Sequence, residues 1–150
     1  MNKLAIIIDN SRPFYENKRL FEAINEIYSK DKNSSISLFL KNIDWPYKTV
    51  EYGIFKWIDY QNFEGSTLVT NLELLMFAKS VPNNNQINLY CNDFPFFPTI
   101  PGKKALELLT SPKLRVYCRV GYINDFMKTF GCNTKICDIK KAIIENLYNI

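Results

Sequence analysis

The chain has 150 residues, 47% of them hydrophobic, and its 19 basic and 15 acidic side chains leave a net charge of +4. That length fits one domain whose core needs neither staple nor structural metal, and the mild, interspersed charge falls short of the concentrated basic stripe usual in nucleic-acid proteins. No histidine is present, which excludes Ser-His-Asp and Cys-His catalysis within the chain.

The first apolar run, Lys3–Asp9 (KLAIIID), predicts a buried strand. It is too short for a signal peptide and breaks into Asp9-Asn10. Asn10 or Ser11 can cap a following helix, with Pro13 in its first turn, where the missing N–H costs nothing. Leu20, Phe21, Ile24, Ile27 and Tyr28 share one helical face. After the turn at Lys32–Ser35, Ile36–Lys41 (ISLFLK) predicts the second strand.

Residues Asn42–Glu64 read as irregular. Asp44-Trp45-Pro46 is a loop by composition. Val50, Tyr52 and Ile54 alternate as in a strand, yet Ile54, Phe55, Trp57 and Ile58 suit a short helix, placed over Tyr52–Tyr60. Thr67–Thr70 predicts the third strand, and Asn71 caps a helix over Leu72–Lys79 with Leu72, Leu75, Met76 and Phe77 facing inward. Ile87–Cys91 (INLYC) is the fourth strand. The segment Asn92–Pro101 follows it, and its three prolines exclude a helix or a central strand. A short helix over Lys103–Leu109, a fifth strand at Leu114–Arg119, a helix at Asn124–Phe130, a sixth strand at Thr134–Asp138 and a terminal helix over Ile139–Tyr148, capped by Asp138, complete the chain.

Strands alternating with helical segments predict an α/β fold: a three-layer Rossmann-like sandwich around a mainly parallel sheet of five or six strands, in one domain over residues 1–150. The expected core comprises Leu4, Ile6, Ile8, Leu38, Leu40, Val69, Leu89, Cys91, Val116 and Cys118. No run approaches the ~18 apolar residues of a membrane span, so a cytoplasmic protein with reduced cysteines and no membrane partner is expected. Four cysteines without a CxxC, and no histidine, predict no zinc site. Asn, Ile, Lys and Tyr are plentiful while Ala and Gly are scarce, as in AT-rich phage, viral or bacterial genomes.

In such folds ligands sit beyond the carboxyl ends of the strands. That places Asp9, Asn10, Ser11, Arg12, Asn42, Asp44, Asn71, Asn92, Asp93, Arg119 and Tyr122 on one rim, with Asp9 and Asp93 as candidate catalytic acids and Asn10, Ser11, Arg12, Asn92, Arg119 and Tyr122 as candidate ligand contacts. Asn and Asp also favour turns and caps for their own sake. Phe94 and Phe96, in the proline-braced segment, either stack on a sugar or base or fold back into the core. There is no GxGxxG and no Walker A loop, so dinucleotide and P-loop sites of the usual kind are not expected, and no cofactor is called for. Lys103, Lys104, Lys113, Arg115 and Arg119 come nearest to a nucleic-acid surface, although a solvated helix end and strand edge account for them as well.

The stretch from Gly65 onward, with TLVTN, INLYCNDFPFFP and ELLTSPKLRVYCRVGYINDFMKTFG, resembles the N-terminal half of GT-B glycosyltransferases of the phage DNA glucosyltransferase type, and the opening KLAIIIDN matches in kind. The resemblance implies that the loop after the first strand and the Asn92–Pro101 loop face a cleft. It also implies that this half holds mainly the acceptor, while a donor-binding half, which this sequence lacks, holds the nucleotide-sugar. A sugar, a nucleotide or a partner chain is then the expected ligand. Asp9, Glu73 and Asp93 give a second resemblance, to the metal-dependent PIN and NYN nucleases, although the later turn carries one acid here where those families carry several. A third alternative is a non-catalytic viral accessory protein that binds a host protein through aromatic side chains.

Overall fold

The computed structural model describes residues 3–44, 50–93 and 101–150. Seven strands form one sheet: β1 (Lys3–Asn10), β2 (Ser35–Asn42), β3 (Gly53–Lys56), β4 (Ser66–Val69), β5 (Gln86–Cys91), β6 (Val116–Cys118) and β7 (Thr134–Ile136). Every pairing is parallel, and the spatial order is β3-β2-β1-β4-β5-β6-β7. The chain builds outward from β1 to β3, returns to lay β4 against the other edge of β1, and then builds outward again. The break in direction lies between β1 and β4, where Leu4 pairs with Ser66 and Ile7 with Val69.

The helices are α1 (Tyr15–Lys30), α2 (Leu72–Ser80), α3 (Gly102–Leu109), α4 (Gly121–Thr129) and α5 (Ile139–Tyr148), with a 3-10 helix at Trp57–Asn62. Strand side chains alternate between faces, so each strand feeds two cores. Leu4, Ile6, Ile8, Leu38, Leu40 and Tyr90 pack with Phe21 and Ile24 of α1 and Ile143 of α5. Ala5, Ile7, Phe39, Val69, Leu89 and Val116 pack with Leu74 and Leu75 of α2, Leu109 of α3 and Ile123 of α4. The arrangement is three-layered and Rossmann-like. All ten expected core residues are buried. All four cysteines are free and buried. Among the described residues no helix is long and apolar enough to cross a membrane.

Four expectations are corrected. The sheet has seven strands, not five or six. The additional one is β3, in the stretch assigned to a helix at Tyr52–Tyr60; the turn that does form there is the 3-10 helix at Trp57–Asn62. The alternation of Val50, Tyr52 and Ile54 is the true signal, since all three pack on the α1–α5 side, while Phe55 stacks on Phe39 across the other face, with ring centroids 5.4 Å apart. The first helix begins at Tyr15, after Pro13, with no side-chain cap. Asn10 and Ser11 are occupied elsewhere: Asn10 Oδ1 accepts the Arg12 N–H, and the Ser11 hydroxyl, fully buried, donates to the Asp44 carbonyl. Met76 and Phe77 are only partly buried, and Leu74 and Ala78 take the inner positions of α2 instead.

Candidate functional site

A crevice of about 300 Å³ opens at the carboxyl ends of β1, β4 and β5. It lies at the switch point of the sheet, where open α/β folds bind ligands, and its volume is at the low end of the ~300–1,000 Å³ typical of small-molecule sites. A shallower depression of about 1060 Å³ lies at the opposite end of the sheet, beside Lys3, Ser66 and Gln86. It is wider, but it sits at the amino ends of β1, β4 and β5, away from the place that parallel sheets reserve for ligands.

The crevice crosses the top edge of the sheet. On the α2 side stands Asp9, the penultimate residue of β1. One of its oxygens accepts the Asn71 amide at 2.6 Å. Asn71 is also the cap of α2, its Oδ1 accepting the Leu74 N–H at 2.9 Å, so one side chain starts the helix and fixes the carboxylate. Burial raises the Asp9 pKa; Lys41 pulls it down, Glu73 pushes it up, and the Asn71 hydrogen bond pulls it down. Lys41 and Glu73 form an ion pair at 2.6 Å beside it. The Lys41 ammonium lies 5.5 Å from the Trp57 ring centroid, and its hydrogen bond to Glu73 raises its own pKa. A half-buried carboxylate whose pKa burial raises is a stronger base than a free one and is suited to accepting a hydroxyl proton.

On the α1–α5 side the wall contains Tyr90 of β5 and Arg19 of α1. Tyr90 is 1% exposed and its hydroxyl has no hydrogen-bond partner among the described residues. Such an orphan costs about 1–3 kcal/mol. Burial raises its pKa to about 12, with the Arg19 charge acting to lower it. Thr70, Asn92 and Asp93 line the crevice between the two sides.

Of the residues singled out from sequence, Asp9, Asn92 and Asp93 are brought together here. Asn10 sits beside the crevice, its carbonyl accepting the amide of the lining residue Asn17 at 2.9 Å. Arg12 instead pairs with Asp44 at 3.0 Å. Arg119 follows β6, its N–H donating to the Cys91 carbonyl, and Tyr122 is exposed on the first turn of α4; neither lines the crevice. Phe94 and Phe96 lie outside the described residues, as do Trp45 and Pro46. Glu73 is engaged by Lys41 and does not line the crevice. Among the described residues no three acidic or cysteine side chains are close enough to hold a metal ion.

Tyr90 and Arg19 are lining residues that the sequence left unmarked, whereas Asn71, marked as a cap and a rim residue, is brought to the crevice as the partner of Asp9. Tyr90 sits in an apolar strand and reads as core, and the sequence carries no signal that its hydroxyl is left over. Phe14, Tyr15 and Ile43 are large apolar side chains exposed on the same rim. No family model, curated protein or solved structure matches this chain.

Proposed function

We propose that this domain is a GT-B N-terminal-type half domain that binds a hydroxyl-bearing acceptor of the sugar class in the switch-point crevice. Asp9 accepts the hydrogen of the ligand hydroxyl, and it is the candidate base if a donor-binding partner completes a transferase. The observation that carries the proposal is the Asp9–Asn71 pair at the carboxyl ends of β1 and β4: a carboxylate whose pKa is raised by burial, oriented by an amide, at the floor of a crevice sized for a small molecule. An all-parallel sheet with its reversal at this point supports it. So does the wall chemistry, since amides and carboxylates suit hydroxyl groups, which both donate and accept.

The nuclease alternative needs Asp9, Glu73 and Asp93 on one metal ion, and the Lys41–Glu73 pair works against that arrangement. Titrating labelled protein with glucose and with Mg²⁺, following backbone amide shifts, tests both readings. Glucose is expected to shift the amides of Asp9, Asn71 and Asn92, and Asp9→Ala to abolish those shifts without unfolding the domain. Shifts with Mg²⁺ alone at Asp9 and Asp93, and none with glucose, would transfer the case to the nuclease reading.

A further inference from the structure

The two sides of the crevice offer opposite chemistry. Asp9, and Asp93 between the two sides, present acceptors. On the α1–α5 side the donors are unspent. The Tyr90 side chain lines the wall, and its hydroxyl is buried with no hydrogen-bond partner among the described residues. Arg19 lines the same wall, half-buried; among the described residues it forms no ion pair, and its guanidinium lies 5.7 Å from the Tyr15 ring centroid. A guanidinium held by an aromatic face keeps its forked donors available for a planar or tetrahedral anion. The Asp138 carboxylate and the Arg119 guanidinium also reach the Tyr90 hydroxyl and act in opposite directions, which leaves Arg19 as the leading charge there. Glu16 lines the crevice too, but it is exposed, where solvent and salt screen its charge.

We propose that Tyr90 and Arg19 form an anion-recognising subsite, so that the crevice takes a monosaccharide bearing a carboxylate or a phosphate. This rests on the sugar reading above. The anionic group hydrogen-bonds to the Tyr90 hydroxyl and pairs with Arg19, while a sugar hydroxyl meets Asp9. Asp9 repels an anion from the α2 side, so the ligand has one orientation. The Tyr90 hydroxyl, unsatisfied in the free protein, finds its acceptor in the ligand.

The test uses the full chain and four probes: glucose, glucuronate, glucose 6-phosphate and inorganic phosphate, with dissociation constants from amide shifts. Glucuronate or glucose 6-phosphate is expected to bind about tenfold more tightly than glucose, the factor of one charged hydrogen bond; whichever of the two is preferred names the anionic group. Arg19→Gln and Tyr90→Phe are each expected to remove most of that preference, and Tyr90→Phe to leave the melting temperature unchanged or raised. Equal binding of glucose and both charged sugars overturns the subsite and leaves the sugar reading standing. Inorganic phosphate binding as tightly as glucose 6-phosphate, and losing affinity in Arg19→Gln, keeps the subsite and overturns the sugar reading. A preference unaffected by both substitutions, or a melting temperature lowered by Tyr90→Phe, overturns the subsite. No shift with any probe overturns both.

Discussion

Replacing Asn71 by Ala removes two hydrogen bonds that serve different purposes. The bond to the Leu74 N–H starts α2, and losing such a cap costs about 1 kcal/mol. The bond to Asp9 is charge-assisted and short, at 2.6 Å. Bonds of that kind contribute about 1.5–3 kcal/mol, and the crevice lets water replace part of it, so the lower end applies. Asn71→Ala is therefore expected to cost about 2–3 kcal/mol, a fall of about 5–10 °C in Tm for a domain of this size. Asn71→Asp separates the two contributions. Aspartate caps as well as asparagine does, but it sets a second carboxylate against Asp9, at a spacing where the two share one proton. The pair then titrates in two steps, the second with a folded-state pKa above the unfolded value. Stability is fully present below the unfolded value of about 4 and is lost as pH rises through the folded value. In urea melts Asn71→Asp is expected to match the wild type near pH 4 and to fall to the level of Asn71→Ala by pH 7. A cost below about 0.5 kcal/mol for Asn71→Ala, or a penalty for Asn71→Asp that does not grow with pH, would refute this account of the pair.

Asp9→Asn keeps an acceptor for the Asn71 amide and removes a carboxylate whose pKa burial has raised; it is expected to stabilise the domain at pH 7, with the gain vanishing below the unfolded pKa, as read by melting temperature against pH. Gly65→Ala meets both a φ of +152° and the Lys3 carbonyl, 2.6 Å from the added carbon, and a loss of at least about 1–3 kcal/mol is expected in denaturant titration. Burial pushes up the pKa of all four thiols, those of Cys118 and Cys137 to about 11; thiol reagent at pH 8 should label them only after denaturation, and rapid labelling of the native protein would contradict the packing.

Six of the seven strands lie where the strand-like runs put them, most plainly the central ones. Leu4 to Ile8 and Leu38 to Leu40 are buried on both faces, and two-sided burial writes itself as an unbroken run. β3 is an edge strand of four residues, mostly exposed, held on one side by β2. Its sequence carries half the usual signal, and the 3-10 helix that follows at once adds helical spacing to the same window. The caps Asn71 and Asp138 are legible because each has a free N–H three residues on. Asn10 and Ser11 look equally good, yet the Arg12 N–H two residues on claims the first and the distant Asp44 carbonyl the second. The rim of strand ends follows from topology, whereas the inner wall does not: Tyr90 and Arg19 face each other only because β5 lies two strands from β1 and α1 crosses above.

The reversal of the sheet also sets an order of events during synthesis. β1 gains its first neighbour once residues 35–42 have emerged, but its second edge is closed only by residues 66–69. At ribosomal rates of ~5–20 residues per second, the ~60 residues between the two halves of that pairing take about 3–12 s to make. Throughout that interval an apolar central strand presents an open row of backbone donors and acceptors, which is the geometry that recruits other chains. The nascent chain is thus most exposed to aggregation between the completion of β2 and the arrival of β4, and KLAIII is the segment a holding chaperone would cover first.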